Sequence, residues 1–469
     1  MDIITIFEAL KKYGLVALAA VAAFAVLLGV AYLIYKKLFH GTKTFSKGQW
    51  ITAILLLGWF VVVLGLTTLS RGANYTGKIN FALFSGYKNA WNEWSLTEYQ
   101  LIIFNMLMFS PLGFLLPFLT KKGEKISVAC LVSFLVTLFI EVLHLVTGRG
   151  IFKLDDLLHN FVGSMFGYFV SVFILDIVRN KKLRIKPLLC MLVIPLFFAV
   201  LTVIAIIVYN TQPYGNLPFI PAEKQDMSIV TVDNQTQLSD ETQSAPIFKN
   251  AYTNDYARIN EISESFSDFA GITFNKTVRT EGSNKIFQSS VGDEQLTAFM
   301  ENGSWSYTNW QEAVTISEEQ ASELRTSIES WLSENGLLPE SAEFCLQDGK
   351  ILRWDIAMPQ MAEQTADFVA GTVMVEIGAD GNIATFSCSI AKYEYIGSLN
   401  LISADEAYKQ VLDGNFEQYN PFESADVLTM TGYSLDYEPD TKGFYRPIYR
   451  FEGYINDVGN AWEGVVSAE

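Results

Sequence analysis

Polar and apolar residues alternate along this chain on two different scales. As far as residue 209 they come in blocks. Six apolar runs, at residues 15–35, 51–69, 101–119, 128–146, 157–178 and 187–209, are separated by polar stretches. Each run is close to the roughly 20 residues that cross the hydrocarbon core of a bilayer as a helix. The first follows Lys11 and Lys12, as a secretory signal would, but stays apolar to Tyr35 and is read as an anchor. Beyond residue 209 no apolar run is that long. Residues 210–246 are rich in Gln, Asn, Ser, Thr and Pro and read as a tether with some extended structure.

After the tether the pattern shortens. Ser317-Glu318-Glu319-Gln320 and Ser403-Ala404-Asp405-Glu406 are capping boxes, which predict helices to about Asn335 and Asp413. Strand-like alternation follows each. Residues 344–358 turn at Asp348-Gly349, and residues 373–395 turn at Ala379-Asp380-Gly381-Asn382. Residues 426–437 and 445–454 form a further pair joined through Asp440-Thr441-Lys442-Gly443. The expected fold is an all-α transmembrane bundle of six helices followed by an α+β domain with antiparallel sheet. The expected boundaries are 1–209 for the bundle, 210–246 for the linker and 247–469 for the second domain, which reads as a duplicated helix-plus-strands module.

Charge follows the same division. Residues 1–209 hold 19 Lys and Arg against 9 Asp and Glu; residues 210–469 hold 14 against 41. The acidic part repels nucleic acid and anionic lipid surfaces. Basic residues gather in alternate loops of the bundle: Lys36, Lys37, Lys43 and Lys47, then Lys121, Lys122 and Lys125, then Arg179, Lys181, Lys182, Arg184 and Lys186. The positive-inside bias puts these loops in the cytoplasm, with the N-terminus and the acidic domain outside a multi-pass cell-membrane protein.

His40, His144 and His159 all lie in the membrane half, so the acidic domain has no histidine. That excludes Ser-His-Asp hydrolysis, Cys-His proteolysis and His-ligated zinc from it. Cys345 and Cys388 form either one disulfide or two buried thiols, while Cys130 and Cys190 sit in apolar runs as packing residues. Trp305, Tyr307 and Trp310 offer a ligand platform, but core packing is the better reading. No EF-hand loop is present.

Polar residues inside membrane helices are costly and face an interior or water. They concentrate in spans three to five. Pro111 in span three frees the carbonyl of Leu107, which Asn105 is placed to satisfy. Glu141 and His144, three apart, share one face of span four. Arg149 follows between two glycines, and Asp155, Asp156, His159 and Asn160 open span five. Asn105, Glu141, His144, Arg149, Asp155, Asp156 and Asn160 are therefore expected toward the outer face as one polar cluster. Such a cluster can hold a head group, bind a metal or move a proton. Asp155 alone reads better as a favourable charge at its own helix N-terminus, and His159 as an interfacial residue among apolar neighbours. Pro111, Gly113, Gly163 and Gly167 are read as packing residues, the last two as a GxxxG pair.

At these positions the chain resembles the VanZ-like membrane protein family. The resemblance rests on Asn105, the Phe109-Ser110-Pro111-Leu112-Gly113-Phe114-Leu115-Leu116-Pro117 run, Glu141, Gly148-Arg149, Asp155-Asp156, Asn160, Gly163 and Gly167-Tyr168, over roughly residues 50–180. Glu141-x-x-His144 stands where the family commonly shows Glu-x-x-Gln. The resemblance implies a bacterial cell-envelope role, and the namesake is associated with lowered susceptibility to the glycopeptide teicoplanin. The acidic domain is similar to PepSY-like domains and to the extracytoplasmic YycH/YycI regulators, mainly over residues 403–411 and 443–453, which implies a binding or regulatory module.

Three readings of function follow. The leading one is a non-enzymatic envelope protein without a cofactor, whose bundle engages a lipid or lipid-linked envelope component. The second is a membrane enzyme on a lipid-linked substrate, with Glu141, His144 and Asp156 as acid/base groups or metal ligands, although no catalytic motif is recognised. The third is a sensor that signals to a membrane protein partner such as a histidine kinase.

Overall fold

The computed structural model describes residues 22, 25, 26, 29, 30, 32–40, 42, 44–69, 79–339, 341–418 and 420–469. The first expected span falls mostly outside them. The chain divides into two compact units, Met1–Ala90 with Ser95–Gln212, and Trp91–Trp94 with Pro213–Glu469.

Among the described residues of the first unit, five helices are long and apolar enough to cross a membrane. They are α1 (Lys47–Leu64, continued by a π-helical turn at Gly65–Leu69), α3 (Leu96–Leu119), α4 (Ile126–Thr147), α5 (Leu154–Asn180) and α6 (Ile185–Thr211). A short helix α2 (Ser85–Asn92) precedes α3. Strands β1 (Ile79–Asn80) and β2 (Phe152–Lys153) pair in parallel. α1 and α3 begin before their apolar runs because a side-chain cap holds their polar first turns. Ser46 and Gln49 form a capping box on α1, and Ser95 caps α3. Gln49 also donates its side-chain amide to the Leu119 carbonyl at the end of α3.

The backbones of α3 and α5 meet directly. A Cβ at Gly113 would lie 1.7 Å from the Ser164 carbonyl oxygen, at Gly163 1.9 Å from that of Met106, and at Gly167 1.8 Å from that of Ser110. Only glycine permits this approach, so these glycines are packing residues. α3 runs on through Pro111 and Pro117. The carbonyl that Pro111 frees accepts from Ser110 Oγ at 2.8 Å, and not from Asn105 as the sequence suggested. A neighbouring hydroxyl reaches that oxygen with less chain displacement. On the other side, α5 meets α4 through Ser133 Oγ and Ser164 Oγ at 2.7 Å, both fully buried.

The second unit is built on a fourteen-stranded sheet. In chain order it comprises β3 (Thr231–Asn234), β4 (Ser244–Asn250), α7 (Tyr256–Ala270), β5 (Arg279–Glu281), β6 (Asn284–Gln288), β7 (Gln295–Phe299), β8 (Ser304–Thr308), α8 (Glu318–Glu334), β9 (Glu343–Gln347), β10 (Ile351–Ile356), β11 (Phe368–Ile377), β12 (Ile383–Cys388), β13 (Ala391–Asn400), α9 (Ala404–Leu412), β14 (Val427–Pro439), β15 (Phe444–Ile455) and β16 (Ala461–Ser467). Every pairing is antiparallel except β3 with β14.

The sheet has two halves that share β11. Its first residues pair with β13, and its later residues lie between β10 and β12. One half buries Phe266, Trp305, Trp331, Trp354 and Phe386 against α7 and α8. The other buries Ala407, Val411, Phe416, Phe451 and Trp462 against α9. Both capping boxes form as expected.

The tether expected at 210–246 contributes two strands. Ala245, Ile247 and Phe248 are buried in β4, which pairs with β13. Gly215 donates its N–H to the buried Asp440 carboxylate at 2.6 Å, and Asn216 donates to Thr441 Oγ1 at 2.8 Å. A polar composition read as loop is here held by partners about two hundred residues away in sequence. Cys345 is an exposed free thiol and Cys388 a buried one, with β10 and β11 between their strands. Trp305 and Tyr307 are core residues, and Trp310 is exposed with φ 62°.

Candidate functional site

The polar residues singled out in the sequence lie at one end of the bundle. α4 ends there, α5 begins there, and α3 has its first half there. Gly148 closes α4 in the left-handed conformation, with φ 62°, and turns the chain back toward α5. The same end receives the C-terminal part of α6, since Tyr99 near the start of α3 bonds Thr202 at 2.5 Å.

Glu141 is buried, with 1% exposure, in the last turns of α4. Its Oε2 accepts the Lys153 backbone N–H at 3.3 Å. The Nδ1 of His144, one turn on, stands 3.6 Å from the same oxygen. Gly150 covers the imidazole, since a Cβ there would lie 3.0 Å from His144 Cγ. Neither nitrogen of His144 has a hydrogen-bond partner among the described residues. Arg149 lies half-buried in the turn between Gly148 and Gly150.

Asn105 joins the other side. Its Nδ2 donates to Asp156 Oδ1 at 3.0 Å, linking α3 to the first turn of α5. Asn160 lies one turn further along α5 and is buried, with its Oδ1 unpartnered among the described residues.

Asp155 does something different from its neighbour. Its carboxylate accepts from Phe84 N–H at 2.5 Å, Gly86 N–H at 2.9 Å and Ser85 Oγ at 3.1 Å. It caps α2 from another helix, satisfying donors that a helix start leaves open. Its role is therefore the N-terminus of α2, where the sequence pointed to that of its own helix. Phe84 has φ 68°, a left-handed conformation that this carboxylate holds in place. His159 turns inward: it is buried, and its ring meets that of Tyr87 edge-on at 5.1 Å. Burial and then the Asp155 carboxylate push the Tyr87 hydroxyl above its ordinary range.

The structure thus joins Glu141 to His144 and Asn105 to Asp156, and it assigns Asp155 to α2. The Lys153 amide, Ser85, Gly86 and Tyr87 belong to the same end and were not singled out. A backbone N–H carries no side-chain signal, and α2 is too short and polar to announce itself. Among the described residues, no three His, Cys, Asp or Glu side chains are grouped to hold a metal.

The helices that carry this end coincide with a known sequence pattern. Residues 50–175 match the VanZ/LLP1 family model. The VanZ-like region therefore covers α1 to nearly the end of α5, with every residue of the polar cluster inside it. No curated protein matches the chain significantly. Among solved structures, an uncharacterized protein from Eubacterium rectale ATCC 33656 is similar at 8% identity and TM-score 0.23, over 51% of this chain and 87% of that one. The Bacillus megaterium YpeB C-terminal domain is similar at 12% identity and TM-score 0.20, over 45% of this chain and 92% of that one.

Proposed function

We propose that this is a VanZ-like cell-envelope membrane protein whose bundle engages the polar head of a lipid or lipid-linked envelope component. The observation that carries the reading is Glu141. It is a carboxylate buried in an apolar bundle with, among the described residues, one long hydrogen bond and an imidazole just out of reach. Burying a carboxyl group so thinly paired is costly, and a polar ligand offsets that cost. A residue kept only for stability would be better apolar.

The orientation belongs to the same proposal. The basic residues that follow α3 and α5 sit at the end of the bundle opposite Glu141. The positive-inside bias then puts Glu141, Asp156 and the end of α6 at the outer face, and the acidic domain outside the cell as a binding or regulatory module. An effect on glycopeptide susceptibility of the teicoplanin type is part of the same proposal, supported by the VanZ-like region. Cells carrying Glu141→Ala with Asp156→Ala should change in glycopeptide susceptibility in the same direction as a deletion strain, with normal protein levels in the membrane. A clear deletion phenotype that the double variant fully complements would refute the reading.

A further inference from the structure

The unsatisfied atoms at this end narrow the head group. Among the described residues, the Glu141 carboxylate accepts one hydrogen bond, and neither imidazole nitrogen of His144 nor Asn160 Oδ1 has any. The helix register brings Glu141 and Asp156 to a common level, with Asn160 one turn deeper in the bundle and His144 one turn beyond Glu141. Ser133 on α4 faces Ser164 on α5. Two turns on from Ser133 is Glu141; one and two turns back from Ser164 are Asn160 and Asp156. Asp156 already accepts from Asn105.

The unpartnered atoms among the described residues are Asn160 Oδ1 and the two imidazole nitrogens of His144, beside a carboxylate that can accept more than one hydrogen bond. An anionic group placed here would meet Glu141 and Asp156 with like charge. A group with several N–H donors and a positive charge suits the carboxylate of Glu141 and the acceptors on the turns either side of it. We infer that this site takes the primary ammonium of a phospholipid head group, with Glu141 as counter-ion and Asn160 and His144 as further acceptors. The inference rests on the head-group reading above and names its chemistry.

The test uses the full-length protein in detergent, titrated with lipids of identical acyl chains and followed by native mass spectrometry. Phosphatidylethanolamine should be retained roughly tenfold more tightly than phosphatidylcholine, whose quaternary nitrogen has no N–H to donate. Glu141→Gln should bring the two to the same level, Asn160→Leu should narrow the gap, and Asp176→Asn at the opposite end should leave it unchanged. Equal retention of the two lipids by the unmodified protein would overturn the ammonium without recourse to any variant. A preference for phosphatidylglycerol or a glycolipid, lost in Glu141→Gln, would overturn the ammonium and leave the head-group reading standing. Absence of any Glu141-dependent lipid retention would overturn both. Binding of soluble phosphoethanolamine with no preference for its lipid would overturn the lipid as the source.

Discussion

A side chain at Gly113 would put its Cβ 1.7 Å from the carbonyl oxygen of Ser164, far inside the van der Waals contact distance of the two atoms. The α3–α5 contact is thus backbone on backbone, repeated by Gly163 under Met106 and by Gly167 under Ser110. Such contacts hold membrane helices together where no hydrophobic driving force separates them from lipid. They also fix the level at which Asn105 meets Asp156.

Gly113→Ala, Gly163→Ala and Gly167→Ala should each force the two helices apart. Overpacking of this kind costs about 1–3 kcal/mol. The aggregation temperature of the detergent-solubilised protein should fall for each, and Gly65→Ala, which meets nothing, should leave it unchanged. Equal thermostability for all four would show that the contact is absent.

Asp155 and Asp156 should separate in experiment. Asp155→Ala removes the cap on α2 and should cost about 0.5–2 kcal/mol. Its mark is local: a cysteine placed at Ser85 should become more reactive to a polar maleimide. Asp156→Ala should leave that reactivity alone and lose the tie to Asn105. If both variants act alike on Ser85, the division of roles drawn for the two carboxylates is wrong.

The two cysteines of the acidic domain should differ sharply. Burial pushes the Cys388 thiol up to about 11, so it stays protonated and unreactive in the folded protein. The raised value means that its contribution to stability is kept below its ordinary value of 9.0 and lost as pH rises through about 11. Exposed Cys345 should label with maleimide at neutral pH without reductant, and Cys388 only on unfolding. Labelling of neither before reduction would reveal a disulfide.

The long helices were legible in the sequence because hydrophobic run length fixes a membrane helix almost alone. Their ends were not, since Ser46, Ser95 and the first turn of α5 extend the helices into polar text. The three hairpins and two capping boxes of the acidic domain were legible for the same local reason. β4 and the clamp of Gly215 on Asp440 were not, because their partners lie far along the chain. At the candidate site, the residue types alone gathered the polar side chains at one end of the bundle, and the structure has them at one end. The split of Asp155 from Asp156 needed the position of α2, which no periodicity announces.

Orientation is open to a direct check. A reporter active only outside the cytoplasm, fused after Glu469, should be active; activity from a cytoplasmic reporter alone at that position would reverse the proposed topology.

The central claim is that the Glu141 end of the bundle holds a lipid head group. A photoactivatable amino acid at Leu145, one turn from Glu141, should cross-link a membrane lipid in living cells, and Glu141→Ala with Asp156→Ala should abolish that product while leaving protein in the membrane. Cross-linking at Leu145 that is unchanged by the double variant, with the same lipid composition as at Val193 on α6, would contradict the account.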